Sequence, residues 1–400
     1  MNNQKQYKKN IPLIIAANFV SFFGVTTFFV AYLSSRGMSV VEIGILESIF
    51  HVTSLLSEIP SGALADRFSY KSNLIIGRLM QILSAILMIA GHSFWVFALG
   101  MILSSWAYNF DSGTNGAFLY ESSVGAGLKG KFLRITSLEN AAIEISLALG
   151  QVVAALFIKG LLVYTYYISI LLSLVAIGIY LSTKDIEKKD DNEEKLTFKK
   201  IISTVGIEFK EKPYILIWMF FQNFLGMALS MFYFYYQLKF PSMNKGLVVG
   251  IMVLGTILNA LFSIFSAKIG EKISAIKIMR YVSIISSIIL LGAITDNNII
   301  YIFIYLSLNA LYALTMPAYN NELNLVLQNE TRATMISVSS MMFSLSMAIF
   351  FPLVGYVIKK LEFPLAFTGL GILILIFIMV SYRYMTKVDD KLTADMCEMN

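Results

Sequence analysis

Residues 62–71 read Gly62-Ala63-Leu64-Ala65-Asp66-Arg67-Phe68-Ser69-Tyr70-Lys71. Asp66, Arg67 and Lys71 put three charges into a short stretch where two long apolar runs meet, 41–65 and 72–90. A helix that crosses the hydrocarbon of a bilayer needs about 20 mostly apolar residues, and both runs meet that length. The stretch therefore reads as a short polar turn joining two membrane spans.

Ten more runs of this kind occupy 11–33, 95–120, 134–158, 160–182, 214–238, 247–268, 278–295, 299–322, 334–358 and 364–386. The chain is 57% apolar and 14% charged, whereas a soluble domain carries about a quarter charged residues. Disorder, a coiled coil and a secreted disulfide scaffold are excluded, and the single Cys397 leaves no partner for an intrachain disulfide. The first run is too long for a cleaved signal, and another span follows at once. Backbone polar groups in lipid must be satisfied internally, and no barrel-like alternation appears, so the spans are helices. The expected fold class is an all-α integral membrane protein of twelve transmembrane helices.

The net charge of +6 would suit nucleic acid until the basic residues are placed. Six of the 31, namely Arg36, Lys159, Lys239, Lys245, Lys359 and Lys360, fall on one side of the spans, and the rest fall on the side of the termini. This bias places both termini in the cytoplasm and marks the charge as an orientation signal, with no nucleic-acid partner. One long polar stretch divides the chain. The expected parts are an N-terminal six-helix bundle (1–182), a charged cytoplasmic linker (183–213) and a C-terminal six-helix bundle with a short tail (214–400).

Transporters often carry internal repeats visible as weak symmetry. After span two comes Ala65-Asp66-Arg67-Phe68-Ser69, and after span eight comes Gly270-Glu271-Lys272-Ile273-Ser274, each small, acidic, basic, apolar, serine. Tyr120-Glu121 at the end of span four has a looser counterpart in Asn321-Glu322 at the end of span ten.

The opening stretch resembles the signature loop of the major facilitator superfamily, Gly-x-Leu-Ala-Asp-Arg-x-Gly-Arg-Lys. Gly62, Leu64, Ala65, Asp66, Arg67 and Lys71 match, while Ser69 stands for the glycine and Tyr70 for the arginine. Glu58-Ile59-Pro60, and Ser112-Gly113 with Leu119-Tyr120-Glu121, are similar to a bacterial drug-efflux subgroup that includes the clostridial tetracycline efflux pump. Gly150-Gln151-Val152 departs from the glycine-proline pattern of many drug–proton antiporters. The resemblance implies two pseudo-symmetric bundles around a central cavity lined by spans 1, 4, 7 and 10. It implies a monomer in a bacterial cell membrane, moving a small molecule together with protons. It also implies a cytoplasmic gate of Gly62, Asp66, Arg67, Lys71 and Glu121, with Glu271 and Lys272 as repeat-related counterparts.

Carboxylates inside the membrane are the most informative feature. Each costs about 2.5–3.5 kcal/mol at the bilayer centre, and Glu47, Glu58, Asp111, Glu139 and Glu144 all lie in spans of the first half. They must face water, meet a cation or hold a proton. Glu47, His51 and Glu58 are spaced 4 and 7 apart, on one helix face. A histidine between two carboxylates suits a proton relay; the alternative is that His51 only hydrogen-bonds to Glu47 near the outer water. Glu58 also matches Arg78 of span three in depth, so a structural Glu58–Arg78 ion pair and a mobile-proton role are both open. Ser104, Tyr108, Asp111 and Asn115 form a polar stripe on span four, and Asn140 and Glu144 a second pair on span five. Asp111 and Glu144 are the first candidates for the substrate or proton site, and hydrogen-bonded helix packing is the competing account.

The second half offers neutral groups for a cavity: Gln222, Asn223, Asn309 and Tyr312, with Phe221 and Phe224 beside them. An aromatic wall facing an acidic one would suit an amphipathic cation or zwitterion, whereas Tyr233, Tyr235 and Tyr236 fit the interfacial aromatic belt. No nucleophile–base set, metal-ligand spacing or phosphate loop is present. The chain is thus expected to be no enzyme and to need no cofactor. The expected function is secondary transport: proton-coupled efflux of a small drug-like compound, with nutrient uptake fitting the acidic groups equally and a non-transporting receptor as the remote alternative.

Overall fold

In a computed structural model of the protein, α3 (Val40–Arg67) runs through most of the stretch expected as a turn, and Phe68 and Ser69 alone join it to α4 (Tyr70–Ala90). The structure describes residues 2–186, 198–327 and 329–399. The side chains of residues 2, 3, 59–67, 113, 198–202, 208, 209, 329, 330, 333 and 395–399 lie outside the described residues. Gly62, Asp66 and Arg67 of the expected gate are among these.

Ser69, which replaces the motif's glycine, has φ −65° and ψ 158°, so its backbone needs no glycine. It caps α4 instead: its side chain accepts the Ser72 N–H at 3.3 Å. Ser274, its repeat partner, does the same for α11 (Ala275–Leu291), with φ −59°, ψ 150° and the Lys277 N–H at 3.4 Å. The weak sequence repeat is therefore a repeated helix start.

Among the described residues, nine helical stretches are long and apolar enough to cross a membrane. The last, Thr334–Ala394, has 61 residues. At 1.5 Å per residue that is far longer than a bilayer core of about 30 Å. It holds two spans, divided at Glu362 within α13 (Asn329–Met399), where φ 62° and ψ 168° leave the helix. The fourth span is α5 (Phe94–Gly125), long enough but diluted by the polar residues Tyr108, Asn109 and Asp111. The first span differs from expectation. It breaks into α1 (Asn2–Ser21) and α2 (Phe29–Ser35), with turns between them.

Cα packing divides the helices into two compact units. One comprises residues 1–38, 46–195 and 241–252, with α1, α2, most of α3, α4, α5, α6 (Phe132–Ala155) and α7 (Val163–Leu181). The other comprises residues 39–45, 196–240 and 253–400. It holds α8 (Phe198–Glu211), α9 (Pro213–Tyr235), most of α10 (Lys245–Gly270), α11, α12 (Asn298–Val326) and α13. Residues 187–197 of the expected linker lie outside the described residues, and 198–211 form α8. Many apolar side chains point outward, including Leu133, Leu171, Ile264 and Val380, as lipid contact requires and water would penalise.

Inside the first unit, α4 and α5 pack most extensively, and α7 lies against α4 and α1. Ile14, Leu74, Phe118, Ala176 and Tyr180 form an apolar core at one end. There Asn10 ties three elements together: its Nδ2 donates to Ser122 Oγ and Lys184 O, and its Oδ1 accepts the Lys184 N–H. α6 meets the broken first span at Gly150, where a Cβ would lie 2.2 Å from Gly24 N. Two glycines meet backbone to backbone, the close approach that small residues permit between membrane helices.

Candidate functional site

The α4–α5 contact sets the site. Gly77 lies on this contact: a Cβ there would lie 3.3 Å from Phe110 Cβ and 3.4 Å from Ala107 O and Asp111 Oδ1. One residue on, Arg78 Nη2 pairs with Asp111 Oδ2, and the two side chains are only 6% and 4% exposed. Arg78 Nη1 also donates to Ser21 O at 3.4 Å, the last carbonyl of α1 before the break. Arg78 Nε and Asp111 Oδ1 are buried with no hydrogen-bond partner. The pair fronts a cavity of about 240 Å³ within the first unit. Ser21, Phe22 and Gly24 of the broken span line it, with Ser104 and Tyr108 of α5. Irregular backbone at membrane depth is tolerated where protein or a water-filled cavity surrounds it, and this break meets that condition.

A second polar layer lies close by. Asn18 Nδ2 donates to Glu139 Oε1 at 2.6 Å. The Tyr180 hydroxyl lies 3.0 Å from Asn18 Oδ1 and 3.4 Å from Asn115 Oδ1, and its one proton serves one of them at a time. Glu139, Asn18, Tyr180 and Asn115 thus link α6, α1, α7 and α5. Ser146 Oγ donates to Phe19 O, binding α6 to α1 again.

The polar stripe expected on span four is therefore one face of α5: Ser104, Tyr108 and Asp111 at the cavity, Asn115 in the network. The ion pair expected between Glu58 and Arg78 is not formed, because Arg78 faces α5, across the Gly77 contact, and meets Asp111 first. Glu58, half-buried on α3, lies close enough to Tyr108 to interact electrostatically. Glu47 Oε1 and His51 Nε2 lie 3.5 Å apart, the contact that both readings of this pair require. Asn140 and Glu144 are exposed, and α6 presents Glu139 inward in their place. The signal for Glu139 was its spacing, 7 from Ser146 and 11 from Gly150, which puts all three on one helix face. Asn109, not singled out in the sequence, donates its Nδ2 to Ser54 O at 2.9 Å and Ser57 Oγ at 2.8 Å, fastening α5 to α3.

In the second unit each expected cavity residue meets other residues of that unit. Gln222 Nε2 donates to Thr315 Oγ1 at 3.3 Å, and Asn223 Nδ2 to Ser339 Oγ at 3.0 Å. Asn309 Nδ2 donates to Tyr305 O within its own helix, and Tyr312 packs on Gly226. Phe221 is buried and Phe224 half-buried. Their ring centroids lie 5.1 and 4.7 Å from that of Phe377, around a space of about 10 Å³, the least that admits one water. Aromatic rings so crowded fill a core.

The family model described as Major Facilitator Superfamily matches residues 13–327. The chain belongs to that superfamily. No curated protein matches it significantly. Solved structures with the same fold include the nucleoside transporter NupG, 13% identical with a TM-score of 0.72, covering 99% of each chain. A POT family transporter in complex with 5-aminolevulinic acid is 12% identical with a TM-score of 0.70, covering 95% of this chain and 96% of that one. FucP in the outward conformation is 14% identical with a TM-score of 0.60, covering 95% and 99%. These likenesses establish the fold and do not single out the drug-efflux subgroup. The protein is a major facilitator transporter, not an enzyme.

Within the facilitator motif, Lys71 Nζ donates to Leu181 O at 2.8 Å and Thr183 O at 3.0 Å. It caps the C-terminus of α7, where unpaired carbonyls and the helix dipole favour a cation. Glu121 is half-buried. In the repeat, Glu271 and Lys272 are exposed. The structured acid is Glu322, whose Oε1 accepts the Ala275 N–H at 2.7 Å at the start of α11. Asp389, unnoticed in the sequence, receives Ser274 Oγ at 2.5 Å and lies 3.3 Å from Lys277 Nζ.

Proposed function

We propose that the protein is a proton-coupled secondary transporter of a small amphipathic solute, cationic or zwitterionic, with Asp111 as the coupling carboxylate. The observation that carries this reading is the buried Arg78–Asp111 pair on the wall of a cavity beside the broken first span. A carboxylate held by one guanidinium has two stable conditions. Ionised, it pairs with Arg78 and closes the site; protonated, it releases Arg78 and the α4–α5 contact loses its charge attraction. A proton taken up on one side and lost on the other then biases two conformations of the carrier, as alternating access requires. Glu139, bonded to Asn18 beside the pair, is the second protonatable group of the same interior.

The resemblance of Glu58-Ile59-Pro60 and Leu119-Tyr120-Glu121 to the efflux subgroup favours export, and the same carboxylates serve uptake if the gradients are used in the other sense. Everted membrane vesicles carrying the protein, screened with compound mixtures, should show substrate-induced proton movement in the wild type and in Glu144→Gln, and none in Asp111→Asn. Undiminished proton movement in Asp111→Asn would remove that carboxylate from the coupling. Accumulation in intact cells compared with everted vesicles reads the direction.

A further inference from the structure

We infer that the Arg78–Asp111 site takes a small zwitterion with an apolar or aromatic body, binding its anionic group to Arg78 and its cationic group to Asp111. The inference rests on the reading of this cavity as the transport site. Three observations carry it. The pair is nine-tenths buried, yet Arg78 Nε and Asp111 Oδ1 have no hydrogen-bond partner. An arginine has five N–H donors and a carboxylate about four acceptor positions. Here the arginine makes one ion-pair contact and one long bond to Ser21 O. A buried charge with unmet hydrogen-bonding capacity is costly, and a ligand that inserts between the two and supplies an opposite charge to each restores the missing bonds.

The charge balance of the cavity favours a zwitterion over a singly charged solute. Arg78 and Asp111 are the charged residues among its lining. A lone cation inserted at Asp111 would strand Arg78, and a lone anion at Arg78 would strand Asp111. A zwitterion strands neither, since it replaces one ion pair by two. Size and wall chemistry set the rest. A cavity of about 240 Å³ is many times the ~10–15 Å³ that one water needs and has room for a small organic solute. Phe22, Phe50, Tyr108, Leu147 and Leu172 line it and give the body of the solute an apolar and aromatic surface. Ser104, Ser169 and Gln81 supply neutral hydrogen bonds.

The test uses the purified full chain in nanodiscs and four probes with one aromatic body: phenylalanine (both charges), phenylalaninamide (cation only), and N-acetylphenylalanine and the smaller 3-phenylpropanoate (anion only, the second without the added acetyl bulk). Phenylalanine is expected to bind at least tenfold tighter than any singly charged probe. Asp111→Asn should erase that advantage over N-acetylphenylalanine and 3-phenylpropanoate, and Arg78→Gln the advantage over phenylalaninamide. If a single variant fails to fold, the doubly neutral Arg78→Gln/Asp111→Asn protein replaces it and should bind all four probes equally weakly. Equal binding of phenylalanine and its amide by the wild type, or binding of none of the four, overturns the inference. Proton movement that depends on Asp111 in the everted vesicles would survive either result, so the failure of this inference and the failure of proton coupling are separate outcomes.

Discussion

Asp111→Asn is expected to destabilise the transporter far more than its loss of one oxygen's charge suggests. Arg78 is 6% exposed on its side chain and, among the described residues, its only anionic contact is Asp111. After the substitution the guanidinium keeps Ser21 O at 3.4 Å and little else. Breaking a buried ion pair by removing one partner costs about 3–5 kcal/mol, because the other charge stays buried and unpaired. Replacing both partners by neutral groups of similar shape is often nearly neutral. The double variant Arg78→Gln/Asp111→Asn should therefore recover at least about 2 kcal/mol of what Asp111→Asn loses, a coupling that a double-mutant cycle isolates. Reversible unfolding of purified protein in mixed micelles, followed by loss of helical circular dichroism as the denaturing detergent fraction rises, measures each stability. Two results would refute the reasoning. One is an Asp111→Asn protein within about 1 kcal/mol of wild type. The other is a double variant whose loss equals the sum of the two single losses, since then the charges do not depend on each other.

Two further outcomes concern the frame that holds the site. Gly150→Ala places a methyl 2.2 Å from Gly24 N, against backbone that cannot rotate away. It should cost about 1–3 kcal/mol by overpacking, whereas Gly130→Ala, with nothing within 4 Å of its Cβ, should be near neutral; thermal melting of both proteins compares them. Glu322→Ala removes the acceptor of the Ala275 N–H at the start of α11 and should lose about 1–2 kcal/mol, the worth of a helix cap. Glu322→Gln retains an acceptor there and should lose less, and faster amide exchange in the first turn of α11 in the alanine variant would locate the effect.

Hydropathy was enough to reveal a many-helix membrane protein, because the lipid solvent acts on each span separately and punishes polar residues wherever they stand. The repeat at Ser69 and Ser274 was legible for a similar reason: a helix cap is a local bond, made within four residues of chain. Sequence spacing also put Ser104, Tyr108, Asp111 and Asn115 on one face of α5. Tertiary structure alone decided what that face meets. Equal depth suggested Glu58 for Arg78, yet the partner is Asp111, since periodicity fixes a side chain's direction around its own helix but not which neighbour stands there. The same ignorance of azimuth favoured Glu144 over Glu139, although α6 presents Glu139 to Asn18. The break between α1 and α2 was invisible as well. A hydropathy average over residues 11–33 registers only apolar side chains, while the unwinding at Gly24 belongs to the backbone and to the glycine that crosses it from α6.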